Sequence, residues 1–265
     1  MLRRFSATTS IHPRNSVVRL YQTGIVVALA ALWEIVSRIG LVDPDILPPL
    51  SKVVAVLGRL LRDDRFLADL NVTGFECLVA FVIVAPLGLA IGFIIGESQQ
   101  INRVLGGPLQ LLMTVPKSVF LPVFVLMFGI GIVQKVIFAV VLAFFIVVPT
   151  GIAAVHSVPH GLVTAARSFG ATRLQIYLRI YLPAMAPLVL GGARLGLIFV
   201  VHGVIFAEMY GATDGIGRSI LTWGEAFQMD YLLAAVLLVL IFTVVVNAAM
   251  KSFENLARTR TGAAA

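Results

Sequence analysis

The chain contains six apolar runs, each of about the length that a helix needs to cross a membrane. A bilayer core about 30 Å thick requires about 20 helical residues. The runs cover residues 20–37, 72–96, 104–128, 133–150, 184–207 and 231–250. Only 12% of the 265 residues are charged, which is too little polar surface for a soluble globule of this length. The sequence therefore predicts one all-helical membrane domain over residues 1–265.

The third run differs from the others because prolines interrupt it. Pro108, Pro116 and Pro122 lie within it, together with Lys117. Proline removes a helical hydrogen bond and clashes with the preceding turn. We therefore expect this span to be kinked or tilted.

Basic residues indicate which side of the membrane each connecting segment occupies. With the N-terminus inside, Glu97 and Glu254 oppose a large basic set: Arg3, Arg4, Arg14, Arg19, Arg103, Arg167, Arg173, Arg179, Lys251, Arg258 and Arg260. The outer segments mix both signs. We expect both termini in the cytoplasm, and the net charge of +7 indicates anchoring to anionic membrane lipid and no nucleic-acid partner.

The first run also permits a second interpretation, as a cleaved signal peptide. Arg3 and Arg4 supply a basic start, and residues 28–31 include small side chains. Residues 33–35 continue the run to nearly spanning length, which favours a retained span.

Two outer segments, 40–70 and 211–230, have the spacing of short helices on the membrane surface. In the first, Ser51 is the predicted N-cap of a helix containing Val53, Leu57 and Leu60. In the second, the apolar positions are Ile220, Trp223, Gly224 and Phe227.

The cytoplasmic segment 151–182 has the pattern of a helix, a break and a second helix. The residues that predict it are, in chain order, the start signals Ser157 and Pro159, the break Gly170, the capping-box pair Thr172 and Gln175, and the stop Pro183. On the second helix, Leu174, Tyr177, Leu178 and Tyr181 form one predicted apolar face. Such a face docks in a groove of another protein or rests on lipid, and the residues alone do not choose between these.

A family resemblance lies in the same segment. The run Thr164, Ala165, Ala166, three residues, Gly170, nine residues, then Ile180, Tyr181, Leu182 and Pro183 resembles the signature loop of permease subunits of bacterial ABC importers. The family pattern is Glu-Ala-Ala, three residues, Gly, nine residues, Ile, one residue, Leu-Pro. The spacing agrees throughout, and Thr164 stands where the family usually has glutamate.

Other stretches resemble the nitrate, taurine and alkanesulfonate branch of these permeases. They are residues 47–54 (LPPLSKVV), residues 115–131 from Val115 to Gly131, Ala207-Glu208-Met209, and Gly215-Ile216-Gly217. The resemblance covers roughly residues 20–253.

This resemblance implies a type I permease fold in a bacterial inner membrane, with six spans and a cytoplasmic coupling helix. It also implies two ABC ATPase subunits that bind ATP and Mg, a second copy of this chain, and a periplasmic or lipid-anchored substrate-binding protein. The implied ATPase-coupling residues are Thr164, Ala165, Ala166, Arg167, Gly170, Ala171, Thr172, Arg173, Leu174, Tyr177, Leu178 and Pro183. The implied solute is a small anion, or alternatively a heterocyclic vitamin or its precursor.

Three ionisable residues within spans are candidates for the translocation path: Lys117, Arg194 and Glu208. Each has a structural alternative, namely snorkelling or ion pairing for Lys117, contacts to helix carbonyls for Arg194, and a hydrogen bond for Glu208. Glu208 is also a candidate for an outer gate or a seat for the binding protein.

Glycines at helical spacing predict close helix contacts. The set is Gly88, Gly92 and Gly96 in the second span with Gly191, Gly192 and Gly196 in the fifth. Packing within the subunit is favoured over a contact between two copies.

The sequence contains no Gly-Lys-Ser phosphate-binding loop, so we expect no ATPase activity in this chain. The single cysteine, Cys77, provides no metal cluster. His156 and His160 lack a carboxylate partner in their loop, so a solvated or helix-start role is favoured over a hydrolytic site. The rival classes are a stand-alone secondary transporter or channel, which predicts inverted repeats, and an intramembrane enzyme.

Overall fold

A computed structural model describes the backbone of residues 15–260 and the side chains of residue 18 and of residues 20–252. The predictions for Arg3, Arg4, Arg14 and the two chain termini lie outside the described residues. Within this range the chain is helical and contains no strand, as the sequence predicts.

The described chain forms eleven α-helices. They are α1 Asn15–Arg38, α2 Leu50–Leu60, α3 Asp64–Glu97, α4 Gln99–Thr114, α5 Leu121–Phe128, α6 Ile132–His156, α7 His160–Ser168, α8 Arg173–Ile176, α9 Leu182–Gly211, α10 Ile216–Glu225 and α11 Met229–Arg260. A 3-10 turn, Lys117–Phe120, precedes α5, and a π-helical turn, Tyr177–Tyr181, joins α8 to α9.

Five helical stretches of the described chain are long and apolar enough to cross a membrane: Leu20–Arg38, Asp64–Glu97, Ile132–His156, Arg173–Gly211 and Met229–Ser252. A sixth crossing requires the pair Gln99–Thr114 and Lys117–Phe128, which is bent by 80°, to act as one broken span. The predicted kink of the third run is confirmed. It lies where Val115, just before Pro116, has extended backbone angles, the conformation that a following proline favours.

Helices α3, α6 and α9 form the centre of the bundle, and small residues allow their backbones to approach closely. A Cβ built on Gly88 would lie 2.8 Å from Cγ1 of Val147, and one on Gly96 would lie 2.9 Å from Cβ of Val155. Gly192 is equally tight against Thr150. These glycines pack within the subunit, as predicted. The prediction is wrong for Gly191, which has no neighbour within 4 Å of such a Cβ.

The bundle has two ends that carry different helices. One end of the bundle holds α10 and is here called the α10 end. Helices α3 and α6 begin at this end, and α9 ends there. Helix α7 lies at the opposite end, here called the α7 end, because it follows the last residue of α6.

Helices α2 and α10 correspond to the two predicted surface helices, but their apolar faces pack on protein. Val53 and Val56 of α2 are fully buried, in one cluster with Ile216 of α10 and Ala234 of α11. Both predicted helices are present, and the apolar face of α2 packs on small residues of α11 such as Ala234. The N-cap of α2 is Pro49, not Ser51, whose side chain instead bonds to Glu34 of α1. Phe227 lies beyond α10 and is 77% exposed.

Candidate functional site

The predicted helix-break-helix is present at the α7 end. Gly170 separates α7 from α8 with φ of +77°, a left-handed conformation that glycine adopts without a steric penalty. The capping box is also present: the Thr172 N–H donates to Gln175 Oε1 at 2.9 Å, and the Gln175 N–H donates to Thr172 Oγ1 at 3.3 Å. Both features are local, which is why the residue pattern predicts them.

The predicted stop at Pro183 is wrong. The chain passes from α8 through the π turn Tyr177–Tyr181 into α9, so that Arg173–Gly211 is one helical stretch. Pro183 lies in the first turn of α9, where the wider π turn precedes it. The missing proline N–H is tolerated there because a π turn shifts the hydrogen-bond register by one residue.

One side of the segment 160–182 is anchored to the bundle. Val163 of α7 and Ile176 of α8 are buried with Ala154, Val155 and Met185. Next to this cluster, the Phe93 ring of α3 lies 5.8 Å from the Tyr177 ring and 6.2 Å from the Tyr181 ring. The Tyr177 hydroxyl also donates a hydrogen bond to Glu97 at the end of α3. These contacts connect the segment rigidly to α3, α6 and α9.

The other side of the segment is exposed and carries large apolar side chains. Leu174 and Leu178 are 66% and 57% exposed, and Phe169 is 91% exposed. Of the four residues in the apolar face predicted for the second helix, Tyr177 and Tyr181 pack on Phe93 of α3, and Leu178 lines an open apolar cavity together with them, while Leu174 is exposed. Phe169 was not predicted as a surface residue, although an aromatic directly before the breaking Gly170 was a usable signal.

The remaining coupling candidates differ in their exposure to solvent. Thr164, Ala165, Arg167, Thr172 and Arg173 are exposed, whereas Ala166 and Ala171 are half-buried. The Thr164 carbonyl oxygen accepts a hydrogen bond from the Ser168 hydroxyl at 3.1 Å. The Thr164 side chain makes no hydrogen bond within the described residues. His156 and His160 are exposed, and His160 begins α7.

Lys117 lies at the bend between α4 and α5, where its ammonium group binds backbone carbonyl oxygens. Its Nζ donates to the carbonyl oxygens of Leu112 and Met113 at 3.1 Å and of Val115 at 3.2 Å. The same Nζ lies 4.7 Å from the centroid of the Phe145 ring. Carbonyls at the end of a helix lack intrahelical partners, so this ammonium caps α4. The geometry supports the structural alternative given above for Lys117.

Glu208 ties three elements together at the α10 end. Glu208 is almost fully buried, with 1% of its surface exposed. Oε1 accepts from the Thr73 hydroxyl of α3 at 2.7 Å, and Oε2 accepts from the Gly217 N–H of α10 at 2.8 Å. Thr73 Oγ1 in turn accepts from the Ile216 N–H at 3.0 Å. Glu208 thus holds the start of α10 against α3 and α9.

Asp69 extends this connection to the surface. Its Oδ1 accepts from the Gly215 N–H at 3.0 Å, and its Oδ2 accepts from the Ser219 hydroxyl at 3.0 Å. The turn before α10 is therefore fastened to α3 at consecutive helical levels.

Arg194 lies on α9 and is half-buried. Its Nε is shielded from solvent and has no hydrogen-bond partner within the described chain. The structure does not bring it near Lys117 by any described contact.

An ion pair between Glu76 of α3 and Lys135 of α6 was not predicted. Both residues are nearly inaccessible, at 1% and 4% exposure, and Lys135 Nζ contacts Glu76 Oε1. The signal was available, because each is a lone charge within five residues of the start of a predicted outside-to-inside span. Opposite charges at the same depth of two spans are expected to pair.

The ion pair lies in the wall of a cavity of about 430 Å³ at the α10 end. The polar lining consists of Asn71, Glu76, Lys135, Thr213 and Asp214. Within the described part of the chain, no group of three or more His, Cys, Asp or Glu residues is placed to hold a metal ion.

Comparisons with known proteins agree with this architecture. Residues 85–259 match the family described as "Binding-protein-dependent transport system inner membrane component", which is well over half of the chain. The chain is 27% identical over 237 residues to the taurine transport system permease protein TauC of Escherichia coli, covering 88% of this chain and 86% of TauC. It is 26% identical over 245 residues to the formylaminopyrimidine transport permease protein ThiX of Halalkalibacterium halodurans, covering 92% of this chain and 96% of ThiX.

A solved structure has the same fold. A chain of the MetNI methionine ABC transporter, in an inward-facing conformation, aligns with a TM-score of 0.59 at 20% identity, covering 71% of this chain and 91% of that chain. This likeness concerns the fold alone. Together with the family match, it shows that the chain belongs to the binding-protein-dependent transport system inner membrane components, the permease subunits of ABC importers.

Proposed function

We propose that this permease imports a small solute of the taurine or sulfonate type, using ATP that separate subunits bind and hydrolyse with Mg. The main support is the set of exposed apolar side chains on either side of the helix break at Gly170, namely Phe169, Leu174 and Leu178. An exposed apolar surface on a short helix fits a groove of another protein. Similarity to TauC over 88% of the chain supports the solute class.

The segment 160–182 is the proposed coupling element. Its partner is the ATPase subunit, and its contact residues are Thr164, Ala165, Ala166, Arg167, Gly170, Ala171, Thr172, Arg173, Leu174, Tyr177, Leu178 and Pro183. Because Tyr177 and Tyr181 pack on Phe93 of α3 and α8 continues into α9, movement of the segment reaches two central helices directly. An ATPase pair that binds one conformation of this segment more tightly shifts the permease toward that state.

The proposed assembly contains two copies of this chain, two ATPase subunits and a substrate-binding protein that is periplasmic or lipid-anchored. Both termini face the cytoplasm, as does the α7 end, and the α10 end faces the binding protein. The basic residues Arg167, Arg173 and Arg179 at the α7 end support this orientation. Isolation of two distinct permease chains from the native complex would contradict the homodimer.

A second candidate solute is a heterocyclic vitamin precursor, which similarity to ThiX over 92% of the chain favours. The same transport assay separates the two candidates.

The test uses the complete transporter, reconstituted in vesicles with its ATPase and binding protein. We expect ATP-dependent uptake of taurine. Leu174→Asp with Leu178→Asp should abolish ATPase association and uptake, since a charge in an apolar groove is costly. Leu41→Asp is the matched control, because Leu41 is 71% exposed outside the coupling segment. Uptake of a formylaminopyrimidine but not of taurine would establish the second candidate, and uptake without ATP would contradict both.

A further inference from the structure

One exposed face of α9 carries four aromatic rings in the half of the helix nearer the α10 end. The residues follow one another at spacings of three and four, which places them on one side of a helix: Phe199, His202, Phe206 and Tyr210. The ring centroids of Phe199 and His202 are 6.2 Å apart, as are those of Phe206 and Tyr210. All four side chains are exposed within the described chain. This surface, here called the α9 ring face, therefore contacts lipid, water or another chain.

His202 is an ionisable residue on this membrane-embedded surface. It lies nine residues before the end of α9 at Gly211, which is about 14 Å along the helix axis and well inside a bilayer core about 30 Å thick. Its Nδ1 lies 2.7 Å from the Ile198 carbonyl oxygen. Since a carbonyl oxygen only accepts, Nδ1 carries the hydrogen, and Nε2 of the neutral ring keeps a lone pair for another donor. Ionisable side chains within a membrane almost always face protein or a water-filled cavity, so an exposed His202 argues against lipid at the α9 ring face.

The broken span gives a second, independent indication at the same surface. Ser118 and Val119, in the 3-10 turn before α5, are exposed, Val119 at 68%. They line an open cavity of about 290 Å³ that Phe206 and Tyr210 also line. Non-helical backbone at membrane depth is tolerated only where protein buries it or where it lines a water-filled cavity. Because this turn is exposed within the subunit, its place beside the α9 ring face favours a water-filled cavity there.

A second cavity, of about 250 Å³, lies between α9, α10 and α11, and Phe206 lines both cavities. Among the described residues, no Asp, Glu, Lys or Arg side chain lines either one. The Thr243 hydroxyl in the second lining already donates to the Val239 carbonyl oxygen at 2.8 Å. Aromatic ring faces attract cationic groups, and the Nε2 lone pair of His202 accepts an N–H. The surface therefore suits a solute that carries an amino group. The polar side chains of the two linings are Ser118, His202, Tyr210 and Thr243.

We propose that the α9 ring face lines the translocation path and that His202 contacts the solute there, its Nε2 accepting an N–H of a solute amino group. The inference rests on the proposed import function and goes beyond it, because it assigns the path to a surface and names a residue that touches the solute. An N–H donor is common to the two candidate solutes, taurine and a formylaminopyrimidine. Two observations carry the inference: an ionisable side chain and a broken backbone, both exposed beside the same stretch of α9.

The first measurement asks whether water reaches the α9 ring face. Phe206→Cys is introduced into the full permease–ATPase complex in lipid nanodiscs, where Cys77, at 4% exposure, is protected from reagents. The hydrophilic reagent sulfonatoethyl methanethiosulfonate then labels the new thiol, in the nucleotide-free complex and in the complex trapped with ATP and vanadate. Phe199→Cys is a second position on the same face, which keeps the test valid where Phe206→Cys disturbs folding.

Ile241→Cys on α11 is the matched control. Ile241 is 43% exposed and lines neither cavity. It lies two residues before Thr243, and therefore on nearly the opposite side of α11 from the second cavity. We expect Phe206→Cys to react at least about tenfold faster than Ile241→Cys in one or both states, because only the thiolate reacts and lipid disfavours it. Equal rates in both states would overturn the assignment of the path, whether lipid or a second copy of the chain covers the face.

Solute protection tests the contact at His202. Taurine in one arm, and a formylaminopyrimidine in the other, should slow labelling of Phe206→Cys. The protection should be lost in His202→Leu, which removes the acceptor, and retained in His202→Gln, whose side-chain oxygen accepts an N–H. The melting temperatures of the two His202 variants are compared, because a merely structural role would change stability and leave protection intact. Protection by neither solute, or protection that persists in His202→Leu, would overturn the contact.

Uptake by the reconstituted transporter is scored separately from labelling. Labelling does not depend on which solute is carried, so the two failures are distinguishable. A water-accessible α9 ring face without ATP-dependent uptake of either solute rejects the proposed function and leaves the path assigned. Uptake with an α9 ring face that labels as slowly as Ile241→Cys rejects this inference alone.

Discussion

Gly92 of α3 and Gly151 of α6 meet backbone to backbone, since a Cβ on Gly92 would lie 2.9 Å from Cα of Gly151. Nothing other than hydrogen fits between them without moving one helix. In lipid, where apolar surface alone does not hold helices together, such contacts supply much of the attraction.

Gly92→Ala should therefore destabilise the permease by about 1–3 kcal/mol, because the added methyl separates α3 from α6. Gly191→Ala provides the same substitution in α9 where nothing lies within 4 Å, and its melting temperature should equal or exceed that of the unmodified protein. Thermal unfolding of the two purified variants in one detergent measures the difference. Equal melting temperatures would contradict the close packing.

Lys117→Met should weaken the bend between α4 and α5, since the ammonium that caps three carbonyls is lost. When it is buried, a hydrogen bond from a charged group stabilises the folded state by at most about 1.5–3 kcal/mol. Partial exposure reduces that contribution. We expect lower thermal stability and a reduced maximum uptake rate with unchanged apparent solute affinity. Lys117→Arg should restore part of both. A change in solute affinity with unaltered stability would instead place Lys117 in the translocation path.

Local signals in the sequence predicted much of the candidate coupling segment. Gly170 and the Thr172–Gln175 capping box each act within a few residues, so their conformations follow from neighbouring positions. The predicted helix stop at Pro183 was wrong because the helix tolerates this proline after the π turn at Tyr177–Tyr181. No residue pattern specified that π turn.

Features that depend on helix pairing were harder to predict. The apolar runs located the spanning helices, but the exact partners of α2 and α10 depend on small residues of α11. The Glu76–Lys135 pair requires knowing that α3 and α6 are neighbours. Likewise, the sequence left a pathway role and a structural role open for Lys117, and its contacts to nearby carbonyl oxygens become visible only in the folded chain.

Glu208→Gln should loosen the start of α10. Both Glu208 oxygens accept hydrogen bonds, and an amide can replace only one of them, which leaves Thr73 or the Gly217 N–H unsatisfied at a cost of about 1–3 kcal/mol. Hydrogen exchange at the amides of Ile216 and Gly217 should accelerate. Glu225→Gln, an exposed acid on the same helix, is the control and should leave exchange unchanged. Unaltered exchange in Glu208→Gln would remove the tethering role.

Gly170→Val should uncouple ATP hydrolysis from transport. At φ of +77° a β-branched residue is strongly disfavoured, so the angle between α7 and α8 must change while the spanning helices, which do not contain this residue, remain inserted. The reconstituted complex should then retain ATPase activity but lose at least about tenfold in solute moved per ATP hydrolysed, a ratio equivalent to about 1.4 kcal/mol of lost coupling. Gly161→Val, within α7 where a Cβ has open space, controls for the added bulk. Normal uptake per ATP in Gly170→Val would show that the broken geometry of the segment is not what transmits ATPase movement to α3 and α9.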